Sequence, residues 1–283
     1  FLPALKLGES HFDRREQLAW TLDGRGYMLT DIRGLQYRFD GPENRSGYRM
    51  VSGISTKDGF RLRFEYASGG RLAGIISSRG EFLKVETDES GRVLCVSVNQ
   101  DGEEVKLVRY RYDDRGDMVE TLDALDVSKH FVYSGGHLLV RLTNQGGMSF
   151  HWEYEGKGEN ARCVHTWGDG GVMEYFIRYG KGYTHIRNGE NAETEYYYGE
   201  DKLIYKIVDA NGGITRHQYN SFQELEVTVN PEGYTRKTAY NEFGRPVRIT
   251  DENEEDTFLD YDKNRNLVSL RTPGGKRLSW DYD

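Results

Sequence analysis

The stretch Tyr240-Asn241-Glu242-Phe243-Gly244-Arg245-Pro246-Val247 decides the fold, because the chain repeats it. Tyr112-Asp113-Asp114-Arg115-Gly116-Asp117-Met118-Val119 and Tyr66-Ala67-Ser68-Gly69-Gly70-Arg71-Leu72 share its order: an aromatic, usually a small or acidic residue, a variable pair, glycine, a polar residue and an apolar one. Tyr261-Asp262-Lys263-Asn264-Arg265-Asn266-Leu267 keeps the register with Arg265 where glycine usually stands, and Thr87-Asp88-Glu89-Ser90-Gly91-Arg92-Val93 keeps it with Thr87 in place of tyrosine. Tyr198, Tyr219, Tyr240, Tyr261 and Tyr282 follow one another at a constant step of 21 residues, and Tyr133 and Tyr154 are further anchors. Steps of 25 from Thr87 to Tyr112 and 23 from Tyr175 to Tyr198 predict insertions absorbed by loops. A fixed period of this size marks one small unit stacked on the next.

Ahead of each anchor the chain alternates. Phe60, Leu62, Phe64 and Tyr66 fall on one face and Arg61, Arg63 and Glu65 on the other, the period of a half-buried strand. After the anchor, Asp, Asn or Ser with glycine supplies a turn, and a second strand begins, as in Arg71-Leu72-Ala73-Gly74-Ile75. Glycine-bearing connections such as Asn211-Gly212-Gly213, Pro231-Glu232-Gly233 and Pro273-Gly274-Gly275 then lead to the next unit. Asn188-Gly189 reads as a two-residue hairpin turn. The expected fold is all-β: consecutive antiparallel hairpins in a curved strip or part of a hollow shell, with Tyr66, Tyr112, Tyr133, Tyr154, Tyr198, Tyr219, Tyr240, Tyr261 and Tyr282 as structural repeat anchors.

Arg109-Tyr110-Arg111-Tyr112-Asp113-Asp114-Arg115-Gly116 and Asn241-Glu242-Phe243-Gly244-Arg245 resemble the YD repeats of the Rhs (rearrangement hotspot) family. Gly34-Leu35-Gln36-Tyr37-Arg38-Phe39-Asp40 with Tyr48-Arg49-Met50 resembles the segment that opens the Rhs core, and so does Thr166-Trp167-Gly168-Asp169-Gly170-Gly171. The resemblance covers essentially the whole chain. It implies an opening segment over 1–58, a YD-repeat array over 59–283, and a hollow β shell that in bacterial members encloses a C-terminal toxin domain and is exported, often by type VI secretion. The implied partners are the remainder of such a polypeptide, its enclosed toxin and spike or adaptor proteins of the secretion machine. The chain lacks the plug, self-cleavage segment and toxin domain of a full member, starts at Phe1 and stops in mid-repeat at Asp283, so a fragment of a longer polypeptide is expected, with its last strand open to pairing or fraying. Other family members sit on cell surfaces, which implies a glycan-binding or adhesion module as the alternative.

Composition fits a thin wall. Hydrophobic residues make up 36% and charged residues 30% of the 283, with a net charge of −8 and no basic stripe of the kind nucleic-acid binders present. No apolar run approaches the length of a membrane-spanning helix. The two cysteines, Cys95 and Cys163, are too few for a disulfide framework and read as buried strand residues.

Candidate chemistry is sparse. Gly156-Lys157-Gly158-Glu159-Asn160-Ala161 fits a dinucleotide fingerprint by letter, but Arg162-Cys163-Val164-His165 follows as a strand where the motif needs a helix. Asp262-Lys263-Asn264-Arg265-Asn266 opens like a calcium loop yet has Leu267 and Pro273 where glycine and glutamate belong, and the acidic run Asp251–Asp256 reads as a solvated turn. The seven histidines (His11, His130, His137, His151, His165, His185 and His217) lack metal-ligand spacing, and His217 occupies the structural position two before Tyr219. Cys163, His165 and Asp169 can be drawn as a thiol site, although two residues on one strand point in parallel. Trp20 and Trp167, if exposed, could stack on a sugar, and Asn44-Arg45-Ser46 is a glycosylation sequon. No enzyme, cofactor or metal site is expected. Any added function would sit in the repeat-breaking insertions Gly156–Ala161 and Lys181–Tyr183.

Overall fold

The computed structural model describes residues 4–44 and 46–282. Arg45, and with it the sequon, lies outside the described residues, as do Phe1 and Asp283. Twenty-six strands, from Ser10–Asp13 to Arg277–Ser279, hold more than half of the chain. The other regular elements among the described residues are two three-residue 3₁₀ turns, Gly158–Asn160 and Asp169–Gly171. Every described pairing is antiparallel and joins strands consecutive in sequence, as in Arg61–Ala67 with Arg71–Ser77 and Ile214–Tyr219 with Leu225–Val229.

Two compact units divide the chain. One holds the residues up to Asp13 and Leu18–Val172; the other holds the four residues Arg14–Gln17 and the residues from Met173 onward. Within the first, Gly53–Ser55 pairs with Arg61–Ala67. Its most buried apolar residues are Val85 and Cys95, beside the buried hydroxyls of Ser77 and Ser97. In the second, His185 and Ser269 are the buried polar residues. The expected alternation is present: Arg61 and Arg63 are exposed while Phe60, Leu62, Phe64 and Tyr66 are half-buried. Half-burial is the rule because a hairpin covers its apolar face only with neighbours in the same layer.

Each anchor carries a feature that the sequence period does not reveal. Nine hairpins place a β-bulge immediately before the anchor: at Tyr66, Thr87, Tyr112, Tyr133, Tyr154, Tyr198, Tyr219, Tyr240 and Tyr261. Gln218 faces Val227 while Tyr219 faces Leu225, so Glu226 is left unopposed. One extra residue per hairpin bends the strand and increases its twist. The turn that follows is the same five-residue loop after all of these anchors except Tyr154. In Asp113–Asp117 the Asp113 N–H donates to the Asp117 carbonyl and the Gly116 N–H to the Asp113 carbonyl. The Asp113 carboxylate accepts from the Arg115 and Asp117 N–H groups. Asn220 and Asn241 do likewise after their anchors, and Asp209 and Asp251 at the opposite ends of the hairpins.

Three local expectations are corrected. Asn188 opens one of these five-residue loops, with its side chain accepting from Glu190 and Ala192 N–H groups and Asn191 at φ 63°, so it is not part of a two-residue turn. A two-residue turn does occur at Lys181–Gly182, where Gly180 faces Tyr183. Second, the long step before Tyr112 is taken up in the strands. Val93–Gln100 and Glu103–Tyr112 are extended and meet at Asp101-Gly102, both at positive φ, with a further register shift between Lys106 and Val108. Third, Tyr175 faces Asn188 at the far end of its hairpin and is not an anchor, so the step of 23 does not measure an insertion.

Candidate functional site

The anchors form a ladder of hydrogen bonds. The hydroxyl of Tyr219 donates to the Ile204 carbonyl at 2.9 Å, that of Tyr240 to Leu225 at 2.7 Å and that of Tyr282 to Leu267 at 2.9 Å. Tyr66 reaches Val51, Tyr112 reaches Val93, Tyr154 reaches Leu139 and Tyr198 reaches Tyr183. The acceptor is chosen by position. Leu225 faces Tyr219, Ile204 faces Tyr198, Leu267 faces Tyr261 and Leu139 faces Tyr133. Tyr112, Tyr154, Tyr219, Tyr240 and Tyr282 thus tie themselves to the residue opposite the previous anchor, from one hairpin to the next. Tyrosine suits the task because it carries a donor at the end of a rigid apolar ring. Thr87, the exception, reaches the Leu72 carbonyl only at 3.5 Å. Burial pushes the phenols of Tyr66, Tyr112, Tyr133, Tyr154, Tyr219, Tyr240 and Tyr261 above their ordinary value, which keeps them protonated.

The candidate chemical sites resolve into turns and strands. Gly156–Ala161 folds as a loop around the 3₁₀ turn Gly158–Asn160 and leads into the strand Arg162–Gly168, without the helix a pyrophosphate needs. Asp262 and Asp251 use their carboxylates to accept N–H groups of their own turns. Cys163, His165 and Asp169 do not converge. The Cys163 thiol lies 3.5 Å from the His165 carbonyl, and burial pushes its pKa up, the opposite of an activated nucleophile. Asp169 accepts from the Ser149 N–H at 2.8 Å and contacts His151 Nε2 at 3.0 Å, and the hydrogen bond from His151 leads the causes that hold its carboxyl below the usual range. Burial likewise pushes up the thiol of Cys95. His217 meets Thr228 across the ladder.

Neither tryptophan is an open platform. Trp20 is half-buried and tilted against Phe39 with ring centres 6.4 Å apart. Trp167 is half-buried between imidazoles, stacked on His165 at 4.1 Å and His151 at 5.0 Å. Residues on adjacent strands supply this stack, because His151 faces Trp167 in the register. Reading one strand at a time therefore misses it.

Sequence reasoning also misses a contact in the second unit. Arg14 donates from Nε and Nη2 to the two carboxylate oxygens of Glu224, at 2.8 and 2.7 Å, with its guanidinium 3.9 Å from the centre of the Phe222 ring. Gln17 Nε2 donates to the Arg14 carbonyl and to the Phe243 carbonyl. Asn220 Nδ2 adds a bond to Glu224. The hydrogen bond from Arg14 is the main cause holding the Glu224 carboxyl below its ordinary range. The partners are 210 residues apart, so no local pattern announces them: Phe222 has its counterpart in Phe243 one repeat on, and Gln223 in Arg265.

By fold and by ladder, the chain is a tyrosine-pinned array of antiparallel hairpins. No family model matches it. It is 28% identical over 183 residues to the double-stranded DNA deaminase toxin A of Burkholderia cenocepacia, covering 62% of this chain and 13% of that protein. It is 25% identical over 161 residues to a probable deoxyribonuclease, RhsB, of Dickeya dadantii, covering 56% and 11%. To the toxin protein Tse5 of Pseudomonas aeruginosa it is 23% identical over 264 residues, covering 77% and 20%. A crystal structure of TcdB2-TccC3 aligns with 98% of this chain and 21% of its own, at 10% identity and a TM-score of 0.37. The chain is thus similar to toxins that include a protein named RhsB, and it spans a fifth or less of the length of the curated relatives it matches.

Proposed function

We propose that this chain is wall: a segment of the hollow shell of an Rhs toxin, which encloses a toxin domain carried by the same polypeptide and holds it away from its surroundings until delivery. The observation that carries this reading is the hydroxyl ladder, in which seven tyrosines join hairpin to hairpin. Consecutive pairing satisfies backbone groups laterally and leaves few open edges, as a wall requires. In this reading residues 1–58 open the core, the array begins at 59, and the chain itself performs no catalysis. The nine anchors act as structural residues. Export by a secretion machine such as type VI, with spike or adaptor proteins as partners, belongs to the same proposal. No helix among the described residues is long and apolar enough to cross a membrane.

The test uses the natural polypeptide. A segment enclosed by the array resists protease while the ladder is intact and becomes cleavable when Tyr112, Tyr219 and Tyr240 are replaced together by alanine. Digestion of that segment at the same rate in both forms overturns the proposal. Saturable binding of the purified chain to one class of glycan favours the adhesion reading instead.

A further inference from the structure

We propose that Phe222, Glu224 and Asn220 form a guanidinium-binding seat, occupied by Arg14, and that the turn Arg14–Gln17 is thereby a displaceable clasp on the turns after Tyr219 and Tyr240. The seat has the parts that recognise a guanidinium and little else. Both oxygens of Glu224 face the two nitrogens of Arg14 in a bidentate pair, and an aromatic ring lies beneath the cation. The pair is largely withdrawn from water, with side-chain exposures of 17% for Arg14 and 14% for Glu224. Asn220 fixes the carboxylate from the side at 2.7 Å while its own carbonyl oxygen accepts the Glu224 N–H. A lysine cannot satisfy this fork.

The surrounding residues crowd the seat. Gln223 holds the left-handed position, at φ 65°, that glycine fills in Asp113–Asp117 and Asn241–Arg245. Gly244, at φ 71°, lies against the contact, and a Cβ there would come within 2.5 Å of the Glu224 carboxylate and 2.7 Å of the Gln17 amide. Gln17 is itself at φ 56°, an unfavourable backbone for glutamine, and its amide bridges the Arg14 and Phe243 carbonyls. The bonds from Arg14 to Glu224 and from Gln17 to the Phe243 carbonyl come from side chains, and none of them joins one strand to another. It can therefore open without breaking a ladder, unlike the hairpin pairings.

Two properties distinguish a displaceable clasp from ordinary packing: local opening, and competition by the guanidinium ion. The experiment measures trypsin cleavage after Arg15 by mass spectrometry of the resulting peptide, in the whole chain and in the absence of denaturation. Wild type should be cut slowly, with a rate almost independent of urea up to the onset of the cooperative transition, as for a local opening. Guanidinium chloride, at concentrations well below those that unfold the chain, should raise the rate severalfold, whereas sodium chloride at equal ionic strength should not. Glu224→Gln should be cut at least tenfold faster and lose its response to guanidinium, and the exchanged pair Arg14→Glu with Glu224→Arg should recover protection. Should Glu224→Gln fail to fold, Gln17→Ala, which removes only the two carbonyl bonds and leaves the seat, should be cut faster than wild type and keep its response to guanidinium. A cleavage rate that follows global unfolding in urea, or that responds equally to the sodium and guanidinium salts, overturns the proposal.

Discussion

At the scale of the residue, the anchor tyrosine works through its hydroxyl as much as its ring. Tyr219 and Tyr240 are half-buried, so their rings bury less than a core aromatic and replacement by alanine should cost about 2–3 kcal/mol, below the 3–5 kcal/mol typical of full burial. Tyr219→Phe isolates the bond to the Ile204 carbonyl and should cost about 1 kcal/mol, while Arg61→Ala on the exposed face should stay within about 0.5 kcal/mol. Urea titrations of the three variants check this, and a silent Tyr219→Phe would remove the ladder from the stability argument. The same hydroxyls set a pH limit. Burial raises the phenol pKa of seven anchors in the folded chain above the ordinary value of 10, so the unfolded state loses its protons first on going alkaline. Their contribution is fully present below pH 10 and is lost as pH rises through the folded-state values. Melting temperature should therefore fall steeply above pH 10, and more steeply in wild type than in a chain with Tyr112, Tyr219 and Tyr240 changed to Phe.

At the scale of the element, the turn chemistry is legible and the bulge is not. Where Asp or Asn follows the anchor it can be read from the sequence as a turn former, and the structure gives it backbone N–H groups, as with Asn241 and the N–H groups of Phe243 and Arg245. The bulge stays hidden because it changes pairing by one residue while leaving the side-chain period of the anchor strand intact; Phe64 and Tyr66 alternate as they would in a regular hairpin. Contacts between strands, such as His151 on Trp167, and between distant turns, such as Arg14 on Glu224, are invisible for a related reason: register and closure are properties of the assembled sheet. The left-handed turn position gives a sharp test. Gly233 has φ 90° and open space where a Cβ would stand, so Gly233→Ala feels the backbone alone and should lose about 1–2 kcal/mol. Gly233→Asn should lose less, because asparagine tolerates this region better. If the two variants melt together, φ at this turn is not what selects glycine. Acid tests the side-chain half of the turn. The N–H groups of Leu125 and Val127 hold the Asp123 carboxyl below its ordinary value of 3.8, so its contribution is present above that pH and disappears as pH falls through the folded-state value. Asp123→Asn should remove that part of the acid transition.

At the scale of the whole molecule, stability is carried by neighbours. The buried residues are few, and among the apolar ones only Val85 and Cys95 of the described residues fall in that class, so no deep core exists to spread a local loss across the chain. Hairpins instead contact the one before and the one after through strand pairing and, at seven anchors, through a tyrosine hydroxyl. Stability in such an array approximates a sum of hairpin terms and nearest-neighbour terms, and unfolding is free to begin locally and spread. Tyr240→Ala removes the ring that follows the strand Thr235–Tyr240 and the bond to Leu225. Its effect should decline with distance along the sequence. Amide exchange should accelerate in Leu225–Val229, Thr235–Tyr240 and Pro246–Thr250, more weakly in Ile214–Tyr219 and Asp256–Tyr261, and not measurably in Arg61–Ala67 or Arg71–Ser77. Measured by mass spectrometry at peptide resolution under native conditions, uniform acceleration across all of these strands would show a single cooperative unit in place of additive hairpins. The graded outcome has a consequence for a wall: damage at one hairpin opens a local gap, and the rest of the array keeps its structure.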